Sequence, residues 1–211
     1  MQSKTDTASD NSQWVGKLLV AAAYGVGFAV LWSTAHALTD LHAGRLHLYF
    51  DWETKVPFVA AVLPLYFSLD VFVALAPFAF RTWRQAAPVM GTLLVQLLIA
   101  VPFFVLIPIK PGFCNDMATG IWGEYLFEPL GLENMSQWNH TPSLHVTYAL
   151  TLALTVTCVP RWLAWTWAVC VCATTMLVHE HHLICIAGGL LLFLATAWTV
   201  PPWLRKRFLP A

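Results

Sequence analysis

The sequence predicts an all-α, polytopic membrane protein: a bundle of six transmembrane helices. Three observations carry this. Apolar residues make up 58% of the 211 positions and charged ones only 10%, against roughly 25% charged in an ordinary soluble domain. Mean hydropathy is +0.64. The apolar residues fall in continuous runs, whereas barrel strands would alternate over segments of about ten residues. The same composition excludes a disordered chain, and eleven basic residues balanced by eleven acidic ones exclude a nucleic-acid binder. Five cysteines are too few, and odd in number, for a disulfide scaffold.

A span takes about 20 mainly apolar residues. Six runs qualify, near Val15–Leu38, Pro57–Phe80, Ala87–Pro108, Ser143–Cys158, Trp162–Val178 and His182–Val200. The second is interrupted by Asp70 and carries Pro64 as a kink site. Asp70 is costly within a span unless paired or protonated, and a hydrogen bond inside the bundle is the expectation for it. Residues 1–13 read as a polar, disordered tail, 14–204 as the membrane domain and 205–211 as a basic tail. Ala35-His36-Ala37 resembles a signal-peptide cleavage site, but the run before it is long and five more spans follow.

Orientation follows the basic residues. Lys4, Lys17, Arg81, Arg84, Arg161, Arg205, Lys206 and Arg207 fall on the side of the termini; Arg45, Lys55 and Lys110 fall opposite. Both termini are therefore expected to be cytoplasmic, with the long loops 39–56 and 109–142 facing outward. Trp14, Trp32, Trp122, Trp138, Trp162 and Trp203 lie near span ends as interface belts.

All eight histidines lie at or near the outer side in this arrangement. His36, His42 and His47 read as interfacial; the other five form two clusters. One is His140-Thr141-Pro142-Ser143-Leu144-His145, where the fourth span starts. Thr141 fits an N-cap and Pro142 the first helical position, which would aim free N–H groups and the positive helix end at an anion. The other is His179-Glu180-His181-His182, between the fifth and sixth spans. Lys110 stands at the outer end of the third. Together they describe a phosphate pocket at a membrane surface, with a nucleophile and a proton donor.

Lys110-Pro111, then Pro142-Ser143-Leu144-His145, then His181 with Gly189 eight residues on, resemble the three-part signature of the type 2 phosphatidic acid phosphatase superfamily. That superfamily includes lipid phosphate phosphatases, sphingomyelin synthases and inositol phosphorylceramide synthases. The stretch Phe50-Asp51-Trp52-Glu53 with Val56-Pro57-Phe58 is similar to bacterial members, and the resemblance covers about Trp32 to Gly189. It implies a metal-independent enzyme, without cofactor, acting on a membrane lipid phosphate at the outer face, the periplasmic side of a bacterial inner membrane. His181 would attack phosphorus and form a phosphohistidine. His145 would protonate the leaving oxygen, and Lys110, Ser143 and the helix N-terminus would hold the phosphate oxygens. The loop 109–142, with Asp116, Glu124, Glu128 and Glu133, would shape headgroup access.

The pattern has Asp four residues after its nucleophilic His; here Cys185 stands there. On a helix those positions share a face, and a thiol accepts weakly where a carboxylate would fix the imidazole tautomer. Glu180 would reach His181 only from a non-helical turn. Thr174 and Thr175 also occupy the places of a Ser-Arg pair found in some members. Cys185 therefore favours an alternative: a member without turnover, serving as a lipid-binding or partner-binding membrane protein. A zinc site at His179, His181, His182 and Cys185 fails on spacing. His179 and His182 read as polar trim, Cys158, Cys170 and Cys172 as small apolar residues. Cys114 and Cys185 face one side and would pair only if their Cα atoms came within about 7 Å.

Overall fold

The computed structural model describes residues 3–41, 44–110, 112–113 and 141–202, with side chains from residue 11 onward. Six α-helices follow one another: α1 (Ser3–Asp40), α2 (Leu63–Ala79), α3 (Trp83–Leu106), α4 (Leu144–Thr155), α5 (Arg161–Leu177) and α6 (Leu183–Thr196). Among the described residues there is no strand, only an isolated parallel bridge between Leu46 and Ile109. The chain is thus all-helical, with its helices where the apolar runs lie.

Among the described residues three segments are long and apolar enough to cross a membrane: Asn11–Asp40, Ala60–Ala79 and Trp83–Leu106. The other helices are shorter, with 12, 17 and 14 residues in α4, α5 and α6. At 1.5 Å per residue α4 spans only about 18 Å.

Two local expectations change. Residues 3–13 continue α1 as helix instead of forming a separate tail. Pro64 does not kink α2, because it falls in the first turn, where its missing N–H has no intrahelical partner to lose. The 205–211 tail, His42, His140, Cys114 and the acidic residues of the 109–142 loop lie outside the described residues.

Helix α4 is the centre. Every residue in it except His145 and Leu154 is buried, and it packs on α5 and α6 while α1 lies along α3. Apolar side chains of α1 such as Trp14, Leu19, Val26 and Val30 stay exposed, which suits a face turned to lipid tails. Polar groups join the inner helices. Thr147, Thr151 and Thr155 each donate to the carbonyl four residues back. Buried Gln96 donates to Thr151 on α4 and Thr196 on α6, both at 2.8 Å. With little hydrophobic drive between helices in lipid, such bonds and small residues hold a bundle together. Gly189 supplies the small residue: a Cβ there would lie 2.5 Å from the Ser143 carbonyl oxygen.

Candidate functional site

Two chain reversals build the site. At the start of α4, Ser143 is the N-cap, with extended backbone and its Oγ accepting from the Val146 N–H. The helix therefore begins at Leu144, two residues later than a Thr141 cap would place it. Ser143 is fully buried, and its N–H donates to the Cys185 carbonyl at 3.0 Å. His145 follows in the first turn.

The second reversal ends α5. His179 has φ 59°, its N–H reaches the Met176 carbonyl, and Glu180 N–H reaches Thr175. This is the Schellman pattern, with His where Gly is usual. It turns the chain back so that His181, whose N–H also donates to the Thr175 carbonyl, faces α4. The ring centroids of His145 and His181 lie 6.0 Å apart.

His145 is fixed from α2. The Tyr66 hydroxyl lies 3.3 Å from His145 Nδ1, and the two rings stack 4.1 Å apart. His145 Nε2 is buried and has no hydrogen-bond partner among the described residues. When Tyr66 donates to Nδ1, Nε2 carries the proton of the neutral imidazole.

Helical spacing does not relate Cys185 to His181. α6 starts only at Leu183, so His181 precedes the helix and the shared-face relation of positions four apart does not apply to it. The buried Cys185 Sγ instead accepts the Thr141 hydroxyl at 2.9 Å. Glu180 does sit in a non-helical turn. It is half-buried there, and burial pushes its carboxyl up to about 7.

Lys110 is exposed. Its backbone pairs with Leu46, and two residues on, Gly112 N–H donates to His182 Nε2 at 3.2 Å. The lysine's segment thus reaches the histidine turn, while no described contact brings its ammonium to His145 or His181.

Glu53 and His182 have structural roles that sequence reasoning missed. Glu53, 1% exposed, accepts from Phe50 N–H, Leu183 N–H and His182 Nδ1, the last at 3.0 Å. Because His182 Nε2 already accepts from Gly112, its proton sits on Nδ1. His182 stacks between Tyr49 and Phe113, and Phe113 stacks in turn on His179. His179 Nε2 donates to the Val56 carbonyl at 2.8 Å. The loop before α2 therefore clamps the turn that carries His181. The only sequence signal for this was an acidic residue in an aromatic-rich outer loop.

Among the described residues no group of three His, Cys, Asp or Glu side chains could hold a metal ion. What the arrangement offers chemically is a pair of imidazoles, one with a directed Nε2, beside a capped helix N-terminus. No family model, curated protein or solved structure matches the chain.

Proposed function

We propose that this chain is a six-span membrane enzyme that hydrolyses or transfers the phosphoryl group of a lipid phosphate at the outer face, with both termini cytoplasmic. The observation that carries this reading is the 6.0 Å separation of the His145 and His181 rings, brought together from α4 and from the turn before α6. Two rings this close can each turn a nitrogen to within about 3 Å of one phosphate lying across their edges.

His181 attacks phosphorus with a ring-nitrogen lone pair, and the bond from phosphorus to the lipid oxygen breaks. The bound phosphate's negative charge favours an imidazolium at His145, which gives its Nε2 proton to the departing oxygen. Tyr66 accepts from Nδ1–H in the imidazolium and goes on accepting once the Nε2 proton has left, so the lone pair of the neutral ring sits on Nε2. In the second step His145 takes a proton from water as the water oxygen displaces His181 from phosphorus, and phosphate leaves. An alcohol headgroup in place of water makes the reaction a transfer. The α4 N-terminus stabilises the charge on the phosphate oxygens.

Phosphate release from phosphatidic acid and from a sphingoid phosphate by the purified protein tests this. The wild type is expected to turn over, and His181→Ala and His145→Ala to lose activity. Equal release from wild type and His181→Ala removes the proposal. The Thr141–Cys185 bond favours a second reading, a lipid-binding protein without turnover, in which lipid phosphate binds and no phosphate is freed.

A further inference from the structure

Halfway along α2, one helical turn from Tyr66, Asp70 lines a cleft of about 340 Å³ between α1, α2, α3 and α4. Asp70 does not make the bond inside the bundle expected of it: among the described residues no hydrogen bond or ion pair reaches its carboxyl. Its neighbours are rings and apolar groups. Tyr24 and Phe28 from α1, with centroids 5.9 Å apart, face it together with Met90 and Tyr148. Tyr24 is 8% exposed, and its hydroxyl lies beside that of Tyr148. The neighbouring Tyr148 hydroxyl already donates to the Leu93 carbonyl at 2.9 Å.

A carboxylate in the middle of an apolar helix is expensive without a counter-charge, and none of the described residues supplies one here. Aromatic faces beside a carboxylate attract an ammonium, the rings through their negative π-faces and the acid through its charge. The remaining walls, Ala21, Gly25, Val73 and Pro77, suit a hydrocarbon body. The geometry points to a binding site for an amphiphilic amine: ammonium on Asp70 and the rings, chain along α1 and α2, and a hydrogen bond to the Tyr24 hydroxyl. The site is independent of phosphoryl chemistry at His181.

The test uses the full chain in nanodiscs of a neutral phosphatidylcholine, titrated with dodecylamine and, separately, dodecanol. Dodecylamine is expected to bind saturably and raise the melting temperature, at least tenfold tighter than the alcohol. Asp70→Asn should weaken the amine at least tenfold, and His181→Ala should leave it unchanged. Because Asp70→Asn changes the bundle's polarity, Gly25→Leu gives a second check: a Cβ at Gly25 meets nothing within 4 Å, so the added side chain fills the cleft and should block binding. Equal affinity for amine and alcohol, equal affinity in wild type and Asp70→Asn, or no saturable amine binding overturns the proposal.

Discussion

The Tyr66 hydroxyl lies 3.3 Å from Nδ1 of His145, under a ring that stacks on it. A tyrosine hydroxyl both donates and accepts, so it can follow the imidazole through both protonation states. Tyr66→Phe keeps the stacked ring and removes only the bond. In the proposed reaction kcat should fall about 10-fold to 100-fold, part of the roughly 10²–10⁴ that general acid–base catalysis supplies, with KM nearly unchanged. The pH profile of kcat should shift with it. An unchanged profile would confine Tyr66 to packing.

Glu180 gives the pH dependence a sign. Its carboxyl ordinarily titrates at 4.5, and burial in the turn raises it to about 7. Between those values the folded protein keeps a proton that the unfolded chain has released. Stability therefore falls as pH rises across this window, by at most about 1.4 kcal/mol per pH unit, and the loss is complete above pH 7. Melting curves from pH 4.5 to 8 should show this decline in wild type and a flatter one in Glu180→Gln.

Glu53 is buried as an acceptor for three donors, one of them on the first residue of α6. Gln in its place keeps the shape but turns one accepting oxygen into an amide that cannot accept. Glu53→Gln should cost about 2–3 kcal/mol, the scale of lost hydrogen bonds to a charged group, read as a lower melting temperature. Because the clamp holds the His181 turn, activity should fall more than the melting shift alone would give at 25 °C. Asp51→Asn, on an exposed neighbour, is the control expected to change neither.

The helices were legible because apolar run length is a local property, and each of the six runs matches a helix. The pairing of His145 with His181 was foreshadowed by their places at the ends of neighbouring apolar runs. The orienting groups were not legible, because they come from other elements. Tyr66 reads in the sequence as one more aromatic in α2, and Glu53 as loop polarity. The shared helical face expected of His181 and Cys185 does not form, for a definable reason: spacing of four implies a shared face only inside a helix, and the α5 cap at His179 with the α6 start at Leu183 leaves His181 outside one. The buried threonines of α4 did carry a readable signal in their spacing at 147, 151 and 155, the face that meets Gln96 and Gly189.

Gly189 and Gly188 are neighbours on α6 with different surroundings, which separates close packing from helix propensity. A Cβ on Gly189 would fall 2.5 Å from the Ser143 carbonyl oxygen and 2.9 Å from Val146 Cβ. The first of these is backbone at the α4 N-cap, so the helices themselves must part. On Gly188 the nearest atom would be Pro142 Cβ at 3.3 Å, a contact that a shift of a few tenths of an ångström relieves. Alanine favours helix over glycine by about 1 kcal/mol at either position. Gly188→Ala should therefore melt at or slightly above wild type, and Gly189→Ala below it, with overpacking costing about 1–3 kcal/mol. The Thr147 hydroxyl, which donates to the Gly189 carbonyl at 2.9 Å, is strained by the same movement. Displacing α6 from Ser143 also moves the turn that carries His181 relative to His145, so Gly189→Ala should lose phosphate release even at temperatures where it remains folded. Equal melting temperatures and equal turnover in the two variants would show that α6 does not hold the two histidines in register through this contact.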